Sequence, residues 1–143
     1  MSEAAREQAV GLLIGLIRSG SYVTGPDLHA AYAIRVLAQE HKPEIVELVA
    51  ELHQGRTSAM VRRDAILAMA NLGDWHWLGD QIRNFRHVSP LERRAFVIAS
   101  YFMSDAGKYW RDHNKKALSP METVMLDWAA AKKNADPNWK IPL

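Results

Sequence analysis

An apolar stripe that occurs four times at a near-constant interval constrains this chain more than any other feature. In Ser58 to Asp74, Val61, Ala65, Ala68, Met69 and Leu72 fall at i, i+4, i+7, i+8 and i+11, one face of a 3.6-period helix. About 30 residues further on stand Leu91, Ala95, Ile98, Ala99 and Phe102, and about 30 beyond those Met121, Met125, Trp128 and Ala129. About 31 residues earlier stand Ala30, Ile34, Leu37 and Ala38. The punctuation repeats too: Ser89-Pro90-Leu91-Glu92 and Ser119-Pro120-Met121-Glu122 each read as a capping box with proline at the first helical position. Arg62 and Arg63 return as Arg93 and Arg94, 31 residues on, one out of step with the stripe. A period of this length predicts an array of helical units, each burying its apolar face against its neighbours.

Val61 to Asp74, VRRDAILAMANLGD, resembles the second helix of a HEAT or HEAT-like repeat: a valine-arginine pair, alternating alanines and leucines, and a closing leucine-glycine-aspartate. The resemblance is clear over this unit and weaker over the rest of about Asp27 to Ala131. It implies an all-α fold, an α-solenoid of about four antiparallel helix pairs in a right-handed stack, whose concave side is lined mainly by the second helix of each pair. It also implies that Arg62, after the valine, joins a polar ladder with an acidic residue near the helix turn. Residues 1–133 are expected to form one domain, followed by a tail, 134–143, in which Trp139 and Ile141 fold back over the last helix as a cap.

The other helices are read from their stops and starts. Ser2 is expected to cap a first helix from Glu3 to Arg18 that Gly20 ends, and Ser58 and Gly73 are expected to bound the central one. Gly11 and Gly15 beside the first stripe let another helix approach closely, from within the chain or from a second copy. A second helix follows Gly25-Pro26-Asp27 to about His41, and Pro43 opens a third. Trp75, Leu78, Ile82 and Phe85 share a helical face and are expected in the core, which leaves His76 and Trp77 pointing elsewhere. Trp77 is then either a stacking surface and interface anchor or a cover for the junction between units.

The net charge of +2 demands no polyanionic partner, but its distribution is uneven. Residues 1–57 hold 5 Lys and Arg against 7 Asp and Glu, and residues 58–143 hold 13 against 9, so the halves carry −2 and +4. The excess predicts a contact surface for protein or nucleic acid across residues 58–116, the alternative being a solvated helical face. Tyr109, Trp110 and His113 beside Lys108 and Arg111 mix aromatic and cationic groups, a combination suited to single-stranded nucleic acid. The candidate binding residues are Arg62, Arg63, Arg83, Arg86, Arg93, Arg94, Trp77, Lys108, Trp110 and Arg111.

No catalytic residue, metal ligand or cofactor is predicted. Cysteine is absent, the six histidines are scattered, His76 does not share a helical face with both Asp74 and Asp80, and phosphate-loop and nucleophile-elbow motifs are missing. Val10 to Ile17 is too short to span a bilayer, so a cytoplasmic monomer or homodimer without a membrane partner is expected.

Residues 89–133 also resemble a helical region found beyond the polymerase core of some bacterial reverse-transcriptase-like proteins, through Glu92-Arg93-Arg94-Ala95, Ala99-Ser100-Tyr101, the Asp105 to Trp110 turn and Ser119-Pro120. That resemblance implies an accessory, non-catalytic interaction module. A less favoured alternative is a small HEAT-like enzyme similar to the alkylpurine glycosylases, with Asp74 or Asp105 projecting into a basic concave face. A third is a structural homodimer seamed at Gly11 and Gly15.

Overall fold

In the computed structural model, residues 2–19, 27–40, 43–54 and 58–143 are described. They form eight α-helices and no strand: α1 (Glu3–Arg18), α2 (Asp27–Leu37), α3 (Pro43–Gln54), α4 (Ala59–Leu72), α5 (Trp75–Gln81), α6 (Pro90–Ala99), α7 (Ser104–Asn114) and α8 (Pro120–Ala135). Three 3-10 segments, Ile82–His87, Ser100–Phe102 and Lys115–Ala117, tighten the exits of α5, α6 and α7. The expected helix stops at Gly20 and His41, and the Gly25-Pro26 start, lie outside the described residues. None of the described helices is long and apolar enough to cross a membrane.

Local chemistry sets the boundaries. Ser2 Oγ accepts from the Ala5 amide at the start of α1, and Ser89 and Ser119 each close a full capping box with Glu92 and Glu122 behind a proline. Ser58 stands at the N-cap of α4 but its side chain makes no capping bond, contrary to expectation. Gly73 ends α4 at φ 78°, a left-handed conformation that costs glycine nothing.

The helices pack around α4, which lies against α2, α3 and α6, while α6 in turn lies against α8. The stripe of α2 is buried as expected from its spacing, and so is that of α4 except for Leu72, which is half-buried. On α8 the expected face holds only in part: Ala129 is buried and Met125 half-buried, but Met121 and Trp128 are exposed, and Glu122 and Leu126 are buried in their place. Among the described residues α8 packs chiefly against α6 and also touches the Ser100–Phe102 segment. Trp75 corrects a second expectation. It stands at the first position of α5, beyond the reach of the core, and is 49% exposed and stacked on His76, whereas Trp77 packs inward. Gly11 and Gly15 correct a third, because among the described residues a Cβ on either meets nothing within 4 Å.

After α8 the chain reverses. Asp136 accepts from the Trp139 amide through its carbonyl and from the Asn138 amide through its carboxylate, with Pro137 in the position that favours such a turn. Trp139 then meets Trp128 edge-on at 5.2 Å, and the tail segment that follows reaches α4. There Asn71 donates from Nδ2 to the Ile141 carbonyl and accepts the Ile141 amide at Oδ1, both at 2.7 Å.

Candidate interaction surface

Four of the eight cations expected to face a partner, Arg62, Arg63, Arg93 and Arg111, are engaged within the fold. Arg62, in the first turn of α4, donates from Nε to Glu92 Oε1 at 2.5 Å and from Nη1 to the His53 carbonyl at 3.1 Å. One unit on, Arg93 of α6 donates from Nε and Nη2 to the two carboxylate oxygens of Glu122, at 2.7 and 2.8 Å. Arg35 and Arg63 converge on the buried Asp64 at 3.3 and 3.0 Å. These pairs link α2 to α4, α4 to α6 and α6 to α8.

Each acceptor glutamate has two tasks, since the N3 residue of a capping box is also the anion that the preceding unit's arginine reaches. Glu92 Oε2 accepts from the Ser89 amide and hydroxyl while Oε1 takes Arg62. Burial alone would raise the Glu92 carboxyl, but Arg62 and Ser89 outweigh it and hold the group below the usual carboxylate range. Glu122 is held down chiefly by the Arg93 hydrogen bonds, and Arg93 is raised in return by Glu122. The carboxylates have their hydrogen-bonding capacity met inside the protein, which is the condition for burying them.

Aromatic contacts engage further candidates. Phe85 lies between the Arg93 guanidinium, 4.4 Å from its ring centre, and Trp110, edge-on at 4.9 Å. Arg111 donates to the Ser100 carbonyl at 2.7 Å and lies over the Tyr101 ring at 3.9 Å, and burial lowers its pKa from the usual arginine value. Trp77 packs edge-on against His53 at 4.8 Å. Burial first, then the Arg62 charge, lowers the His53 pKa to about 4 against a counter-pull from Glu92, so the imidazole is neutral at pH 7. Its Nε2 is buried without a hydrogen-bond partner among the described residues.

The remaining candidates are Arg94, half-buried, and Arg83, Arg86 and Lys108, exposed. Arg83 and Arg86 stand three apart in the 3-10 segment, where such residues eclipse one another, with Ile82 and Phe85 buried. Asp74 accepts the Trp77 amide as the N-cap of α5, a structural task for a residue considered as a catalytic carboxylate. No group of three or more metal-ligating side chains occurs among the described residues.

Sequence reasoning missed Asp64, Glu92 and Glu122 as ion-pair partners, and Asn71 and His53 altogether. Spacing could have found the glutamates, which follow Arg62 and Arg93 by 30 and 29 residues. His53 carries no comparable signal. No protein-family model, curated protein or solved structure matches the chain significantly.

Proposed function

We propose that the chain is a non-catalytic helical-repeat module that binds a protein partner, built as a right-handed HEAT-like solenoid of four antiparallel pairs, α1/α2 to α7/α8. The recurrence of the arginine-to-capping-glutamate pair one unit apart supports the repeat architecture. The resemblance of residues 89–133 makes a reverse-transcriptase-like protein one candidate partner.

The observation that favours protein over nucleic acid is the neutralisation of the arginines. Arg62, Arg63 and Arg93 are paired with carboxylates and Arg111 with a carbonyl and a ring, which withdraws four of the eight candidate cations from replacing the counterions of a phosphate backbone. The test compares wild type with the triple variant Arg83→Glu/Arg86→Glu/Lys108→Glu on labelled single-stranded and duplex DNA and RNA at about 50 and 200 mM salt. Neither protein is expected to bind at micromolar concentration, and a complex reconstituted from the purified chain and a co-purifying protein is expected to persist at the higher salt. Salt-sensitive nucleic-acid binding that the charge reversal removes would overturn the protein reading.

A further inference from the structure

The tail segment after the 136–139 turn lies in a trough between α2 and α4 that it only partly fills. Three contiguous cavities mark the trough. The first, about 280 Å³, is bounded by Ala38 and Gln39 after α2, by Asn71 of α4, and by Lys140, Ile141 and Leu143 of the tail. The second, about 360 Å³, shares Leu143 with the first and lies among Arg35, Arg63, Asp64 and Leu67. The third, about 470 Å³, shares Arg35 with the second and is lined by Leu28, Ala31, Tyr32 and Met60, with no tail residue in it. Leu28 and Tyr32, at 69% and 68%, are the most exposed of the large apolar side chains there.

The tail shows how the trough holds a chain. Asn71 engages the backbone amide and carbonyl of Ile141 as a neighbouring strand would, which recognises an extended main chain without regard to its side chain. Side-chain preference comes from the tail's graded burial: Ile141 is buried, Leu143 is half-buried against the core, and Pro142 between them is exposed at the rim of the second cavity. Trp139 anchors the upstream end against Trp128 and Phe102.

We propose that this trough is a docking site for an extended, apolar segment of a partner protein, and that residues 139–143 are its resident competitor. The partner segment carries aliphatic residues two apart where the tail has Ile141 and Leu143, and continues with apolar residues into the open cavity at Leu28, Tyr32 and Met60. Because it fills both the occupied and the open stretch, it makes contacts the tail does not. The tail, tethered nearby at high effective concentration, keeps shorter segments out. This inference rests on the protein-binding reading above and specifies its site.

The experiment uses two labelled peptides, NWKIPL and NWKIPLGLGL, titrated by fluorescence polarisation into the full chain, with exchange protection of the Ile141 amide followed in parallel. The longer peptide is expected to bind at least about tenfold more tightly than the shorter one and to release Ile141 from protection. Tyr32→Asp, at an exposed position that spares the core, is expected to remove the advantage of the longer peptide, and Asn71→Leu to weaken both about tenfold or more. Should Asn71→Leu fail to fold, a chain cleaved within the 136–138 turn after folding provides the same comparison, with the labelled peptide expected to exchange for the severed tail. Failure of either peptide to bind at millimolar concentration, in both the full and the cleaved chain, overturns the trough as a docking site. Binding that leaves Ile141 protected and is indifferent to Tyr32→Asp also overturns it, while leaving the broader module intact; only the nucleic-acid result described above would displace the module itself.

Discussion

Arg93 grips Glu122 with two parallel hydrogen bonds, Nε to Oε2 at 2.7 Å and Nη2 to Oε1 at 2.8 Å, so the cap of α8 is held by a residue of α6. The carboxylate is only 5% exposed and the guanidinium 24%, which puts the pair between a surface bridge and a fully buried one. Arg93→Ala leaves Glu122 charged and desolvated without its main partner, and is expected to destabilise the chain by about 2–4 kcal/mol in urea unfolding. Glu122→Ala is expected to cost a similar amount through the lost cap and the lost pair. The double variant should cost less than the sum of the singles, and strict additivity would show that the contact contributes nothing.

His53 makes stability depend on pH in a window above that of the carboxylates. Its folded pKa, about 4, lies below the ordinary 6.5, so the unfolded chain takes up a proton that the folded chain refuses as the pH falls between these values. The groups facing it are Arg62, which opposes protonation, and Glu92, which favours it. Wild type is therefore expected to lose about 2 kcal/mol of stability between pH 7.5 and pH 5 on account of this residue. Glu92 and Glu122, both held below their usual value, contribute stability that is lost only at more acid pH, as it falls through the carboxylate range. His53→Leu is expected to flatten the pH 5–7.5 slope, and an unchanged slope would assign it to other groups.

What the sequence made legible was local, and what it hid was relational. Gly73 at φ 78° and the two capping boxes follow from residue types within four positions of each other, which is the range over which spacing constrains geometry. The buried face of α8 departs from its stripe at Met121 and Trp128 because an apolar stripe shows that a helix has an inner side, while the neighbours present decide how much of it is covered. Trp75 and Trp77 exchanged roles because a helix of seven residues is too short for its first position to share the environment of its third. Arg62 and Arg93 read as part of a binding face when charge alone is considered, because their partners lie about 30 residues away and also serve as caps. The clamp between Asn71 and Ile141 spans 70 residues, and no local pattern announces a contact of that range.

Gly107 allows α7 to approach the end of α6. A Cβ at this position would lie 1.8 Å from the Ser100 carbonyl oxygen and 2.9 Å from its carbon, both backbone atoms held by the surrounding turn. The same oxygen accepts from Arg111, so the obstruction cannot move without breaking that bond. Gly107→Ala is expected to destabilise by about 3 kcal/mol or more, against the usual gain for replacing a helical glycine. A stability within about 0.5 kcal/mol of wild type would mean that the approach of α7 is looser than described.

Gly11 and Gly15 give the opposite expectation from the same residue type. Both lie inside α1 with nothing within 4 Å of an added Cβ, so alanine at each removes backbone freedom from the unfolded chain and meets no obstruction in the folded one. The double variant Gly11→Ala/Gly15→Ala is expected to gain about 1–2 kcal/mol, measured by urea unfolding. The gain has to be read beside sedimentation, because Leu12 and Leu16 on the same helix are 66% and 46% exposed and a second copy could cover them. If the glycines let two α1 helices approach across a seam, the added methyls would hold them apart and a dimer would dissociate. A stabilised protein that sediments as wild type does would leave close packing no part in the use of these glycines, and would place any contact between copies on another face.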